Sequence, residues 1–70
     1  MAKYRIISRY EYYSPDGIVW SKWFQVTFAP ITDTEEELKT CLANYKQNAK
    51  QVIKSTKRKI EYAIEQFNVD

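Results

Sequence analysis

The three residues that most strongly interrupt regular backbone, Pro15, Gly17 and Pro30, all fall in the first thirty positions of this 70-residue chain. This punctuation divides the sequence into two runs flanking Ser14-Pro15-Asp16-Gly17 and a long uninterrupted remainder after Pro30. The two early runs, residues 3–13 and 18–29, are rich in Tyr, Ile, Val, Trp, Phe and Thr, and the four residues between them are turn formers. An antiparallel β-hairpin is expected. Side chains alternate faces along a strand, so cross-strand partners must share parity if the apolar even-numbered set is to lie on one side. A three-residue loop, with a type I turn at Pro15-Asp16 and Gly17 in a left-handed bulge, makes paired numbers sum to 32. Tyr12 is then expected opposite Trp20, Ser8 opposite Phe24, Ile6 opposite Val26 and Tyr4 opposite Phe28.

After Pro30 the apolar period changes to that of a helix. Thr32 or Asp33 can cap it, each with a glutamate three residues later, and Glu35, Glu36 and Glu37 suit the positive end of the helix dipole. Leu38, Leu42, Tyr45, Val52, Ile53, Ile60, Ile64 and Phe67 recur every three or four positions, and the spacing predicts one amphipathic helix over about 33–67. Such a helix is about 52 Å long at 1.5 Å per residue. The hairpin arms reach only about 37 Å at 3.4 Å per residue, which leaves part of the stripe for a second copy. Two shorter helices with a break near Asn44 to Asn48 are the alternative. The fold class expected is α+β, a single domain over 1–70 with the hairpin packed on the helix.

A chain this short hides only about 60% of the surface it exposes when unfolded, so a staple is expected. Cys41 is the one cysteine and histidine is absent, which removes an intramolecular disulfide and the usual zinc sites. A homodimer is the remaining route, with the apolar helix face at its core. No cofactor or metal is expected. The start of the chain has charges among its apolar residues and no membrane-length apolar run, so a cytoplasmic protein without a membrane partner is expected.

Catalysis is disfavoured by the same inventory. There is no histidine base for Cys41, no glycine-rich phosphate loop, and no carboxylates paired at an apolar site. A ribonuclease using Arg, Tyr and Lys needs no histidine and is the enzyme class that stays open. The more informative residues lie on the odd-numbered hairpin face and its tip: Arg5, Arg9, Tyr13, Asp16, Trp23 and Gln25. Trp, Tyr and Arg dominate binding energy where exposed, and Arg9 opposite Trp23 also satisfies a cation–π contact within the chain. Lys22 is expected to snorkel at the hairpin edge, and Cys41 to pack as a small hydrophobe. Lys50, Lys54, Lys57 and Arg58 offer contacts to nucleic acid or to an acidic surface, although a net charge of +2 from 11 basic and 9 acidic residues does not by itself imply a polyanion.

No motif carries a family resemblance. Small size, high aromatic content and missing catalytic groups are shared in type with small phage-encoded modulators of host enzymes. The function expected is a dimeric, non-catalytic protein-interaction module. It is read as an inhibitor or modulator of a larger host protein, such as a defence or nucleic-acid-processing enzyme, acting in the host cytoplasm. The alternative is a nucleic-acid-binding protein using the basic and aromatic hairpin face and the lysine-rich helix face.

Overall fold

A computed structural model describes residues 1–69. The first strand, β1 (Ala2–Ser14), is the axis of an antiparallel sheet and pairs with all three other strands. These are β2 (Gly17–Trp20), β3 (Phe24–Gln25) and β4 (Ile60–Asn68). A 3-10 turn (Glu36–Leu38) leads into the helix α1 (Lys39–Thr56). The α+β class and the hairpin are as the sequence predicts, but the long helix is not. The helix ends eleven residues before Phe67, and Ile60, Ile64 and Phe67 belong to a strand.

The end of the helix has a local cause. The Ser55 and Thr56 hydroxyls both donate to the Val52 carbonyl, at 3.2 and 2.8 Å, and the Thr56 oxygen accepts the Arg58 N–H. Serine and threonine compete in this way with the main-chain ladder. Lys57 then turns left-handed, at φ 63°, with its N–H donating to the Ile53 carbonyl at 2.8 Å. A lysine does here what a glycine usually does at a helix end. Beyond it Ile60, Tyr62 and Ile64 alternate with Glu61, Ala63 and Glu65, a period of two that suits a strand lying on β1. The break does not fall at Asn44 to Asn48, which are all helical. At 18 residues the helix is about 27 Å long, so the excess length that argued for a second copy is gone.

At the helix start Glu37 reaches back to Thr34, accepting from its N–H at 3.1 Å and its hydroxyl at 2.9 Å. This is half of a capping box, one or two residues later than Thr32 or Asp33 would place it. Lys39 pairs with Glu36 at 2.9 Å. That hydrogen bond and the attraction of the carboxylate raise the Lys39 pKa above its ordinary value.

The hairpin register also differs from the one expected. Ser14 pairs with Gly17, Tyr12 with Val19 and Glu11 with Trp20, so the numbers sum to 31 and the loop has two residues, Pro15 and Asp16. Gly17 at φ 119° occupies a conformation that only glycine adopts without strain. Further along, Ile7 pairs with Gln25 and Ser8 with Phe24, a sum of 32 as expected. Between these stretches β1 has two residues, Arg9 and Tyr10, and the returning chain has three, Ser21 to Trp23. The extra residue makes a bulge. It is held by the Ser21 N–H donating to the Tyr10 carbonyl at 2.8 Å and the Tyr10 N–H donating to the Ser21 hydroxyl at 3.0 Å. Lys22 is exposed on this bulge. Past β3, the Val26 N–H still reaches the Ile6 carbonyl, but Tyr4 pairs with Thr32 and Phe28 is thrown out on a loop.

β4 pairs with β1 from Ala2 opposite Asn68 to Tyr10 opposite Ile60. The even-numbered face of this sheet carries the core. Ile6 and Leu38 are fully buried, Ala29 and Ala49 nearly so, and Tyr4, Val26, Cys41, Leu42, Tyr45, Tyr62 and Ile64 pack around them. Tyr45 of the helix stacks on Tyr62 of β4 at 5.2 Å between ring centres. Cys41 thus lies in the apolar layer, whereas Val52, assigned to that layer from its spacing, is exposed. The opposite, odd-numbered face is covered by no other element among the described residues.

Candidate functional site

The odd face is a ladder of charges and rings laid across all four strands. Arg5 donates to one Glu65 carboxylate oxygen from Nε at 2.8 Å and from a terminal nitrogen at 2.5 Å, and to the Gln25 side chain at 3.2 Å. Its guanidinium also covers the Phe67 ring, 4.4 Å from the centre. Arg9 donates to Glu61 at 2.5 Å and lies over two indoles, 4.4 Å from Trp20 and 4.8 Å from Trp23. The contact between Arg9 and Trp23 is the one the sequence suggests. Trp20 was expected on the other face. The short loop moves it to the odd side and the bulge brings Trp23 to the same cation, so two residues of opposite parity flank one arginine.

Both arginines are therefore neutralised within the chain. Glu61 and Glu65 are spaced four apart, as Arg5 and Arg9 are, and antiparallel pairing brings each carboxylate to one guanidinium. That matched spacing was the sequence signal for β4. The signal is ambiguous in the sequence, because carboxylates four apart also fit the solvated face of a helix.

Past the Tyr10–Ile60 pair β4 ends, and residues 11–20 continue as a two-stranded arm. Tyr12, Tyr13 and Ile18 are exposed along it, and at its base Tyr10 meets Phe24 edge to face and Tyr12 at a tilt. Isolated two-stranded hairpins are marginal in water, so the arm needs ties. Glu11 supplies them: its N–H donates to the Lys59 carbonyl and its carboxylate accepts the Lys59 N–H, both at 2.9 Å. Arg58 lies 5.0 Å from the centre of the Tyr13 ring. Asp16 sits in the turn, its N–H donating to the Ser14 hydroxyl.

The structure thus separates the predicted residues into three groups. Arg5, Arg9, Trp23 and Gln25 form one connected face, joined by Trp20, Glu61, Glu65 and Phe67, while Tyr13 and Asp16 lie out on the arm. Lys50, Lys54, Lys57 and Arg58 line the end of the helix and the turn after it. No acidic residue occurs between Glu37 and Glu61, and among the described residues Lys46, Lys50, Lys54, Lys57, Arg58 and Lys59 make no ion pair. Lys46, Ala49, Lys50, Ile53, Ile60, Glu61 and Tyr62 border an open groove of about 320 Å³ between α1 and β4.

Among the described residues no group of three or more His, Cys, Asp or Glu is arranged to hold a metal, and no helix is long and apolar enough to cross a membrane. Comparison with protein-family models, with curated proteins and with solved structures returns no match for this chain.

Proposed function

We propose that this chain is a small, non-catalytic protein-binding module that acts by covering a surface of a larger protein, as an inhibitor or modulator would. The observation that carries the reading is the projecting arm. Exposed Tyr13 and Ile18 pair on the side of the arm that faces as Trp23 and Arg9 do, Tyr12 is exposed on its other side, and the arginines of the adjoining face already have carboxylate partners. A patch built for phosphates keeps its cations available, whereas rigid aromatic side chains with few free charges suit a protein surface. A host enzyme of defence or of nucleic-acid processing, met in the cytoplasm, is the class of target proposed.

A pull-down with tagged protein from the natural cell, repeated with Trp23→Ala and Tyr13→Ala, tests this. The expected result is one captured protein that both substitutions release. Capture that survives both removes the arm from the proposal.

The homodimer now rests on the small core, with Ile6 and Leu38 its two large fully buried side chains, and on the exposure of Phe28, Phe24 and Ile31. Light scattering decides it, since a mass of 8.4 kDa at working concentration leaves a monomer. The nucleic-acid reading is kept alive by one observation, the unpaired cations from Lys46 to Lys59. Titration of labelled DNA and RNA at two salt concentrations tests it, because phosphate contacts weaken steeply with salt.

A further inference from the structure

The outer edge of β4 is open. Tyr4, Ile6 and Tyr10 of β1 direct their main-chain hydrogen bonds toward Thr32, Val26 and Ser21, while Met1 and Glu11 direct theirs toward Val69 and Lys59. Odd-numbered residues of β1 therefore bond to odd-numbered residues of β4. It follows that Ile60, Tyr62, Ile64, Gln66 and Asn68 turn their backbone N–H and C=O groups to the far side, where no strand lies among the described residues. Proteins usually blunt such an edge with proline, lysine, a bulge or brevity. β4 is nine residues long and contains neither proline nor lysine, and its pairing with β1 runs without a bulge.

The groove described above lies beside the start of this strand, with Ile60, Glu61 and Tyr62 in its border. Its apolar lining is Ala49 and Ile53 from the helix and Ile60 and Tyr62 from the strand, and the helix also contributes Lys46 and Lys50. Its one carboxylate, Glu61, is held by Arg9. A strand laid along the edge would meet unpaired backbone groups, an apolar trough and two cations.

We infer that the β4 edge and this groove form a docking site for an extended segment of a partner protein, one whose side chains on the helix side are apolar and acidic. The inference rests on the protein-binding reading and names the chemistry of the segment. Main-chain hydrogen bonds to Tyr62, Ile64 and Gln66 supply sequence-independent affinity, and the apolar trough and the lysines select the side chains. A second copy fits poorly. Two β4 strands paired antiparallel would bring both helices to the same side of the joined sheet, with Lys46 and Lys50 of each turned toward the other. Like charges placed so oppose pairing. The same lysines that repel a copy attract an acidic strand.

The test uses the full chain, isotope-labelled, and a capped seven-residue peptide, Thr-Val-Thr-Glu-Thr-Val-Thr, whose two valines and glutamate share one face when it is extended. Addition of the peptide is expected to shift the amide signals of Tyr62, Ile64 and Gln66 and to slow their hydrogen exchange at least tenfold. The same peptide with Lys in place of Glu is expected to bind at least tenfold more weakly. Lys46→Glu/Lys50→Glu is expected to lower affinity for the Glu peptide about tenfold, and Gln66→Pro to abolish it. The Gln66 N–H points outward, so this proline removes no bond to β1. Should Gln66→Pro fail to fold, the exchange rates in the unaltered protein still decide.

The inference is overturned if the peptide leaves those amides unmoved at millimolar concentration, or if it moves only the lysine signals. It is also overturned if the protein alone shows the same protection together with a doubled mass, since a second copy is then the occupant. A single-stranded DNA dodecamer that competes for the lysines more strongly than the peptide likewise defeats it. The peptide titration contains no partner for the arm and the pull-down no peptide, so failure of the edge and failure of the arm are read separately.

Discussion

Exchanging Arg5 and Glu65 tests the strand that the sequence pattern concealed. Their pair has two hydrogen bonds, at 2.8 and 2.5 Å, with the side chains 31% and 38% exposed. Partial exposure limits its worth to about 1 kcal/mol. The guanidinium over Phe67 adds about 0.5–1 kcal/mol. Arg5→Glu removes both and sets two carboxylates opposite each other at a further cost of about 0.2–1 kcal/mol, so the loss is roughly 2–3 kcal/mol. The double exchange Arg5→Glu/Glu65→Arg restores the ion pair and ends the repulsion but not the ring contact, leaving a deficit of about 0.5–1 kcal/mol. For a domain of this size 1 kcal/mol moves the melting midpoint by about 4–8 °C, so the single variant falls by roughly 10–20 °C and the double variant recovers most of it. Thermal unfolding followed by circular dichroism at fixed protein concentration, in low and moderate salt, measures this. If the two single losses simply add in the double variant, Arg5 and Glu65 do not face each other and β4 is not paired with β1 in this register.

Three further outcomes bear on other parts of the fold. Leu38→Ala, at a fully buried position, is expected to cost about 2–5 kcal/mol; chemical denaturation reads the loss, which approaches the total stability of a chain this small, roughly 0.1 kcal/mol per residue. Gly17→Ala, at φ 119°, is expected to destabilise by about 1–3 kcal/mol although no atom crowds the new methyl, because the backbone itself is strained. Lys57→Gly relieves a left-handed lysine worth about 1 kcal/mol and gives up about 0.4–1 kcal/mol of unfolded-state entropy. Its melting midpoint should therefore stay within a few degrees, whereas Lys57→Val should lower it clearly.

The hairpin was legible because local chemistry decides it: turn residues at 14–17 between β-branched and aromatic runs leave little else for the chain to do. The contact of Arg9 with Trp23 followed from parity at the β3 end. The face of Trp20 did not. It depends on one residue more or less in the loop and on the bulge at Ser21 to Trp23, and both are settled by how the whole returning chain must fit along β1. The basic residues from Lys46 to Lys59 were visible as a group, but only the fold shows that Arg5 and Arg9 are spent on Glu65 and Glu61 and that these later cations are not.

The opening feature, a chain without glycine or proline after residue 30, determined less than its simplicity suggests. It permitted a long helix, and apolar residues at 60, 64 and 67 satisfied the helical period. The alternation from Ile60 to Glu65 satisfied the strand period equally well. Neither pattern can decide between the two, because backbone hydrogen bonds are met within a helix and, in a strand, only by a neighbour. By itself the sequence determined the α+β class, the hairpin and the presence of a helix after Pro30, expected over about 33–67 and found over Lys39–Thr56. The tertiary structure decided that the chain turns at Lys57 and returns to β1, because β1 held a free edge and two arginines placed to receive Glu61 and Glu65.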